Sequence, residues 1–317
     1  MKKIILTLII SIICLGAASI LFSFDKKNGE DSRINPNKNF QPSQLPSSQN
    51  AFITASLTSN FVPIRNWSVE EPDIHARAAG IFDPNGEKFL YQKNISEKMP
   101  IASLTKIMTA IVALENLNLD EIITVSKQAT MIGGENGRLS IGEKLSVRDL
   151  LYIMLMESSN DAATALANEA YNFVSLMNKK AEEIGLKETS FSDPSGINPS
   201  NYSTITDLAK LAKYSFTQKS LLWQILGTKE TEVYSQDEKI KHRLVNTNKL
   251  LGESASWRTP IIGGKTGFTD EAGGCMLTIN KIQNKTGEYF IAIVLGSGDR
   301  ELEIKKLIEW TEQAYVW

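Results

Sequence analysis

The stretch "MPIASLTKIMTAIVALENL" (Met99–Leu117) sets a serine three residues before a lysine, at the head of a run that is apolar nearly all round. A helix with that pattern is buried on every side, so it belongs at the centre of a fold. Ser103 and Lys106, at positions i and i+3, then share one helix face about a turn apart. Two readings follow. Ser103 caps the helix amino terminus, or it is a nucleophile whose proton passes to a lysine that burial holds neutral. The pattern alone does not choose between them, because S-x-x-K recurs at Ser23-Phe24-Asp25-Lys26, where no catalysis is plausible.

Working outward, the flanks of this helix predict two kinds of structure. Upstream, "ARAAGIF" and "KFLYQKN" are strand-like and enclose "DPNGE", a run of turn residues, which predicts a hairpin. Downstream to about Leu226 the spacing is helical, as in "SVRDLLYIMLMESSNDAATALANEA", "NFVSLMNKKAEEIGL" and "TITDLAKLAKYSF", the last opening on a capping Thr. Strand character returns in "TPIIGGKTG", "GCMLTINKI" and "EYFIAIVLGSG", and the chain closes on an amphipathic helix. This predicts an α+β fold: one antiparallel sheet built from both chain ends, the terminal helix on it, and a central all-helical lobe against its other face. A cleft between the lobes is the expected site.

The amino terminus reads separately. Ile4–Phe24 is a run of 21 uncharged, mostly apolar residues between "MKK" and "DKK", long enough to span a bilayer as a helix. Residues 1–24 are therefore expected to be a membrane anchor, or a signal segment if cleaved at "GAAS", with the rest exported beyond the membrane. Residues 25–71, rich in Asn, Ser, Gln and Pro, read as a disordered tether, leaving 72–317 as the folded domain. The only cysteines are Cys14, inside the apolar run, and Cys275, so no disulfide is expected in the folded domain. A net charge of -2 gives no electrostatic reason to expect nucleic acid. Zinc-type Cys/His spacings and Gly-rich phosphate or dinucleotide loops are missing, so neither metal nor cofactor is expected.

Two further constellations carry chemistry. Ser158-Ser159-Asn160 interrupts a helical apolar pattern with polar groups that must serve a cleft or cap the next helix. Lys265-Thr266-Gly267, followed by Phe268, comes after a β-branched run and two glycines, as at an open strand edge suited to a carboxylate. Each has a decoy, Ser48-Gln49-Asn50 and Lys285-Thr286-Gly287, the latter reading as a hairpin turn. The only histidines are His75 and His242, and no G-x-S-x-G elbow is present, so a lysine base suits this chain better than a Ser-His-Asp site.

The order S-x-x-K, S-x-N, K-T-G resembles the penicillin-recognising serine acyl-transferases of the β-lactamase-like superfamily, most closely the low-molecular-mass D-alanyl-D-alanine carboxypeptidases (peptidase family S11). The likeness extends through "ARAAGIFDPNGEKFLYQKN", "RLSIGEKLSVRDLLYIMLMESSNDAATALA", "IGLKETSFSDPSG", "LVNTNKLLG" and "GGKTGFTDEAGGC", from about Pro72 to the end. The resemblance implies that Ser103 attacks the bond between two D-alanines of a peptidoglycan stem peptide, with Lys106 as base. It implies that Ser158 relays a proton to the leaving amine and Asn160 holds Lys106 and the substrate amide. Lys265 and Thr266 would bind the terminal carboxylate, and the N–H groups of Ser103 and Phe268 would form the oxyanion hole beside Gly267. β-Lactam antibiotics would be covalent inhibitors.

One departure matters. Some relatives carry an Arg between two asparagines where this chain reads Asn246-Thr247-Asn248, which brings in a second reading, a D,D-endopeptidase that cleaves cross-bridges. A β-lactamase is disfavoured because no E-x-x-L-N follows the S-x-N motif. A non-catalytic envelope scaffold is disfavoured by the intact motifs.

Overall fold

The structure, a computed structural model, describes residues 62–133, 137–253, 259–283, 285 and 287–317. The expected anchor at 1–24, the tether up to residue 61 and the decoys at Ser23–Lys26 and Ser48–Asn50 lie outside the described residues. Among the described residues no helix is long and apolar enough to cross a membrane.

In chain order the strands are β1 (Ile64–Arg65), β2 (Ala78–Asp83), β3 (Lys88–Lys93), β4 (Met99–Pro100), β5 (Ile122–Thr124), β6 (Lys144–Ser146) and β7 (Tyr202–Ser203). They continue as β8 (Glu230–Tyr234), β9 (Lys241–Val245), β10 (Ile261–Thr269), β11 (Gly273–Lys281), β12 (Tyr289–Ser297) and β13 (Tyr315–Val316). The helices are α1 (Thr105–Asn116), α2 (Val147–Met156), α3 (Asn160–Asn168), α4 (Phe173–Ile184), α5 (Ile205–Gln218), α6 (Ser220–Gly227), α7 (Leu250–Glu253) and α8 (Arg300–Ala314).

The main sheet runs β10-β11-β12-β2-β3, every pair antiparallel, so strands from both chain ends meet at β12–β2 as expected. Its two faces separate by residue parity. On β12, Ile291, Ile293 and Leu295 face the helical lobe, while Phe290, Ala292 and Val294 face α8. A strand covered on both sides needs apolar residues at consecutive positions, which explains the unbroken run "YFIAIVLG". Lys285 and Gly287, with φ +77° at the glycine, lie between β11 and β12 as the turn reading of that decoy requires.

Every residue from Thr105 to Ala113 on α1 is buried, so the opening stretch is the central helix its pattern predicts. Helices α2 and α3 are separated by Glu157–Ser159, so the polar interruption lies between helices and its Asn160 opens the second. Ser159 caps α3 by accepting from the Ala162 N–H, 3.1 Å, and Thr204 caps α5 by accepting from Asp207 N–H, 3.1 Å.

The folded chain begins earlier than Pro72. Ile64 and Arg65 pair with Val316 and Tyr315, and the Arg65 guanidinium lies 4.8 Å from the Trp310 ring centre. The expectation of a disordered tether up to residue 71 is therefore corrected. Its polar composition hid one cation, Arg65, two of whose three aromatic partners lie at the far end of the chain.

Candidate active site

Ser103 sits in a 3-10 turn, Ala102–Leu104, that leads into α1. No side chain caps either element, so of the two readings of Ser103 the geometry does not favour the cap. Its Oγ instead lies 2.8 Å from Nζ of Lys106. Ala102, just before it, has φ +46°, a left-handed conformation that costs a non-glycine residue roughly 1–2 kcal/mol. The loop from Asp193 to Asn201 holds that turn in place. Gly196, φ +85°, packs so closely that a Cβ there would stand 2.0 Å from the Ala102 carbonyl oxygen.

Lys106 is completely buried. Its Nζ contacts Ser103 Oγ at 2.8 Å, Asn160 Oδ1 at 2.8 Å and the Ser195 carbonyl at 2.6 Å. Burial pushes the amine down to about 7, against the opposing pull of the Asp193 carboxylate. These three partners are chemically unequal. The Asn160 and Ser195 oxygens can only accept, so they take the two N–H bonds of a neutral amine. Ser103 alone can donate, so the lone pair is left for its hydroxyl proton. Asn160 is itself oriented by donating Nδ2–H to Gly133 O, 2.9 Å.

The other two motifs join at the same place. Lys265, on the edge strand β10, donates to Ser158 Oγ at 2.8 Å and to the Thr266 carbonyl at 2.8 Å. Burial first, then the neighbouring amine of Lys106 and the guanidinium of Arg300, push the Lys265 amine well down. Ser158 has φ +64°, a second strained residue at the site. A Cβ on Gly267 would lie 2.9 Å from the Ser103 backbone nitrogen, so only glycine lets β10 approach the nucleophile's turn this closely. Gly263 and Gly264 serve packing instead. Their missing side chains make room for Trp223 and Leu226 and for Asn248, not for a ligand.

Ser103, Ser158, Asn160, Thr266, Gly267 and Phe268 line one cavity of about 630 Å³, with Lys106 and Lys265 buried in its wall. Phe268 is exposed at its rim. Neither His75 nor His242 lines it. His242 pairs with buried Glu143 at 2.6 Å, and His75 is on the surface.

Thr247, singled out in the sequence as standing where some relatives carry an Arg, shares a 2.6 Å hydrogen bond with Thr266 Oγ1. Three site residues were not legible as such in the sequence. Arg300 donates to the Gly267 carbonyl at 2.8 Å. Glu157 lines the cavity with its carboxyl pushed up by burial. Ser195 acts through a backbone oxygen, which no residue type announces.

Comparison with known proteins agrees with this geometry. The family model of D-alanyl-D-alanine carboxypeptidases matches residues 65–298. The chain is 33% identical over 253 residues to the D-alanyl-D-alanine carboxypeptidase DacF of Bacillus subtilis, covering 76% of this chain and 63% of that protein. It is 32% identical to a D-alanyl-D-alanine endopeptidase of Pseudomonas aeruginosa, covering 78% and 80%. Among solved structures, the Streptomyces K15 DD-transpeptidase superposes with a TM-score of 0.70 at 31% identity, covering 77% of this chain and all of that one. This chain belongs to the D-alanyl-D-alanine carboxypeptidase family of serine peptidases, with the penicillin-binding, β-lactamase-like fold.

Proposed function

We propose that this chain is a serine-type D-Ala-D-Ala carboxypeptidase that removes the terminal D-alanine from peptidoglycan stem peptides through an acyl-enzyme on Ser103. The observation that carries the reading is the buried Lys106 amine, whose only hydroxyl partner among its three is Ser103. Lys106 takes the proton as Ser103 Oγ attacks the carbonyl carbon. The developing oxyanion rests on the N–H groups of Ser103 and Phe268. Collapse expels the D-alanine amine, which receives a proton through Ser158, held by Lys265. Water then cleaves the ester. Lys265 and Thr266, backed by Thr247, anchor the substrate's terminal carboxylate, and Asn160 orients both Lys106 and the scissile amide. No metal or cofactor has a step in this scheme.

A fluorescent penicillin tests it: the wild type is expected to be labelled covalently and Ser103→Ala to stay dark. An unlabelled wild type would sink the acyl-enzyme reading.

A cross-bridge D,D-endopeptidase is the second reading. Thr247 favours it, since a neutral hydroxyl stands where some relatives place a cation that would grip a free carboxyl terminus. Incubation with a pentapeptide and with cross-linked muropeptides separates the two. Released D-alanine supports the carboxypeptidase, and cleavage confined to the cross-linked substrate supports the endopeptidase. We also propose that the domain works outside the membrane, where such a substrate lies, with the Ile4–Phe24 run as its anchor; cell fractionation with and without that run tests this.

A further inference from the structure

The wall of the cavity includes a loop, Asp193–Asn201, whose backbone reaches the centre of the site, and one carboxylate organises it. Asp193 Oδ1 accepts from Ser195 N–H, Ser195 Oγ–H and Gly196 N–H, each at 2.7 Å. Oδ2 accepts from Asn198 N–H at 3.0 Å and from the Asn201 side-chain amide. So folded, the loop grips the nucleophile's turn and helix at several points. The Asn201 carbonyl accepts from Ile101 N–H at 3.1 Å, the Pro194 carbonyl accepts from Thr109 Oγ1–H at 2.6 Å, and Gly196 seats against Ala102. Between these contacts the Ser195 carbonyl meets Nζ of Lys106.

We propose that Asp193 is a positioning residue for acyl transfer, holding the Ser195 carbonyl on the Lys106 amine by its hydrogen bonds and biasing the protonation of that amine by its charge. The proposal rests on Lys106 being the base.

Five donors on two oxygens require an ionised carboxylate. Burial opposes that charge, but the hydrogen bonds from Ser195, Asn198 and Gly196 outweigh it and hold the carboxyl below its ordinary range. Asp193 is in turn the anion that opposes the desolvation of Lys106. The other charged groups around that amine are Lys265 on β10, with Arg300 of α8 behind it, and Glu157 at the end of α2, which lines the cavity. A neutral residue at 193 therefore lowers the affinity of Lys106 for its proton. An amide there would also set its N–H bonds against the Asn198 and Asn201 donors, loosening the loop.

The test is the pH dependence of acylation by a fluorescent penicillin, measured on the full chain for wild type, Asp193→Asn, Asp193→Ser and Asn201→Ala. Ser103→Ala serves as the unreactive control. Asn201→Ala disturbs the same loop but keeps the charge. In both Asp193 variants the acid limb is expected to move to lower pH, with the plateau down about 10- to 10²-fold from misplacement of the base. Asn201→Ala is expected to lower the plateau and leave the limb in place. An acid limb in the folded Asp193 variants that coincides with wild type overturns the proposal. Failure of both variants to fold, read by thermal melting, also overturns it in favour of a purely structural role. An unlabelled wild type would instead remove the base reading on which the proposal stands.

Discussion

Lys106 destabilises the fold that positions it. Burial lowers its proton affinity from an ordinary value of 10.5 to about 7. Below that lower value both the folded and unfolded chains carry the proton, and folding bears the whole cost, on the order of 5 kcal/mol. Between the two values the unfolded chain binds a proton that the folded chain does not, so stability rises with pH. Relative to Lys106→Met, wild-type stability should therefore gain roughly 1.4 kcal/mol per pH unit between about pH 7 and about pH 10. Urea unfolding of both proteins at several pH values measures this. A flat difference would mean that the folded lysine keeps its ordinary proton affinity and is no base. The same shift sets catalysis. Acylation needs the neutral amine, so its rate should climb with pH through about 7. Lys106→Ala should acylate at least ~10²-fold more slowly, as for any lost general base; near-normal labelling kinetics would refute the role.

At the scale of elements, the site hangs on how a loop and a strand edge abut the turn before α1. Gly185 and Gly196 make a controlled comparison. Both adopt left-handed backbone, φ +81° and +85°, but a Cβ on Gly185 meets nothing within 4 Å, whereas one on Gly196 meets backbone at 2.0 Å. Gly185→Ala should cost only about 1 kcal/mol, the conformational penalty at a helix end, with normal penicillin labelling. Gly196→Ala must displace Ala102 and with it Ser103, so labelling should fall at least ~10²-fold even in protein that still folds. Equal labelling of the two variants would show that the loop does not set the nucleophile's position. This loop also marks the limit of what the sequence discloses. Ser103 and Lys106 were legible as a pair because one helical turn joins them. The β2–β3 hairpin was legible because "DPNG" interrupts two strand patterns, and Lys265–Gly267 because β-branched residues and glycine mark an edge strand. Ser195 contributes a carbonyl that every residue has, Arg300 arrives by tertiary contact, and Gly263 and Gly264 signalled closeness without saying to what.

The described domain joins its first strand to its last. Residues 62–71 looked like tether because they lack a periodic apolar pattern, yet Arg65 lies over Trp67, Trp310 and Tyr315 at 5.4, 4.8 and 5.5 Å. Its guanidinium also donates to the Val69 carbonyl at 2.8 Å. Farther along, the buried carboxylate of Glu303 on α8 accepts from His75 N–H at 2.7 Å and Ala76 N–H at 3.3 Å, tying the terminal helix to the strand that leads into β2. A pattern read from a window of ten residues cannot find such a clasp, since Trp310, Tyr315 and the strand that pairs with β1 lie about 250 residues away. None of the clasp residues lines the catalytic cavity. A chain beginning at Pro72 keeps the Glu303 contacts but loses β1, its pairing with β13 and the Arg65 stack. Cation–π contacts contribute about 0.5–1 kcal/mol at exposed sites and about 2 kcal/mol when desolvated, and in a domain of this size each kcal/mol shifts the melting temperature by roughly 2–4 °C. The shortened chain should therefore melt several degrees lower and still label with penicillin at the wild-type rate. Arg65→Ala alone should reproduce most of the drop. If the shortened chain melts like wild type, the clasp is an idle contact; if it loses labelling, the chain ends hold the catalytic cleft as well as the sheet.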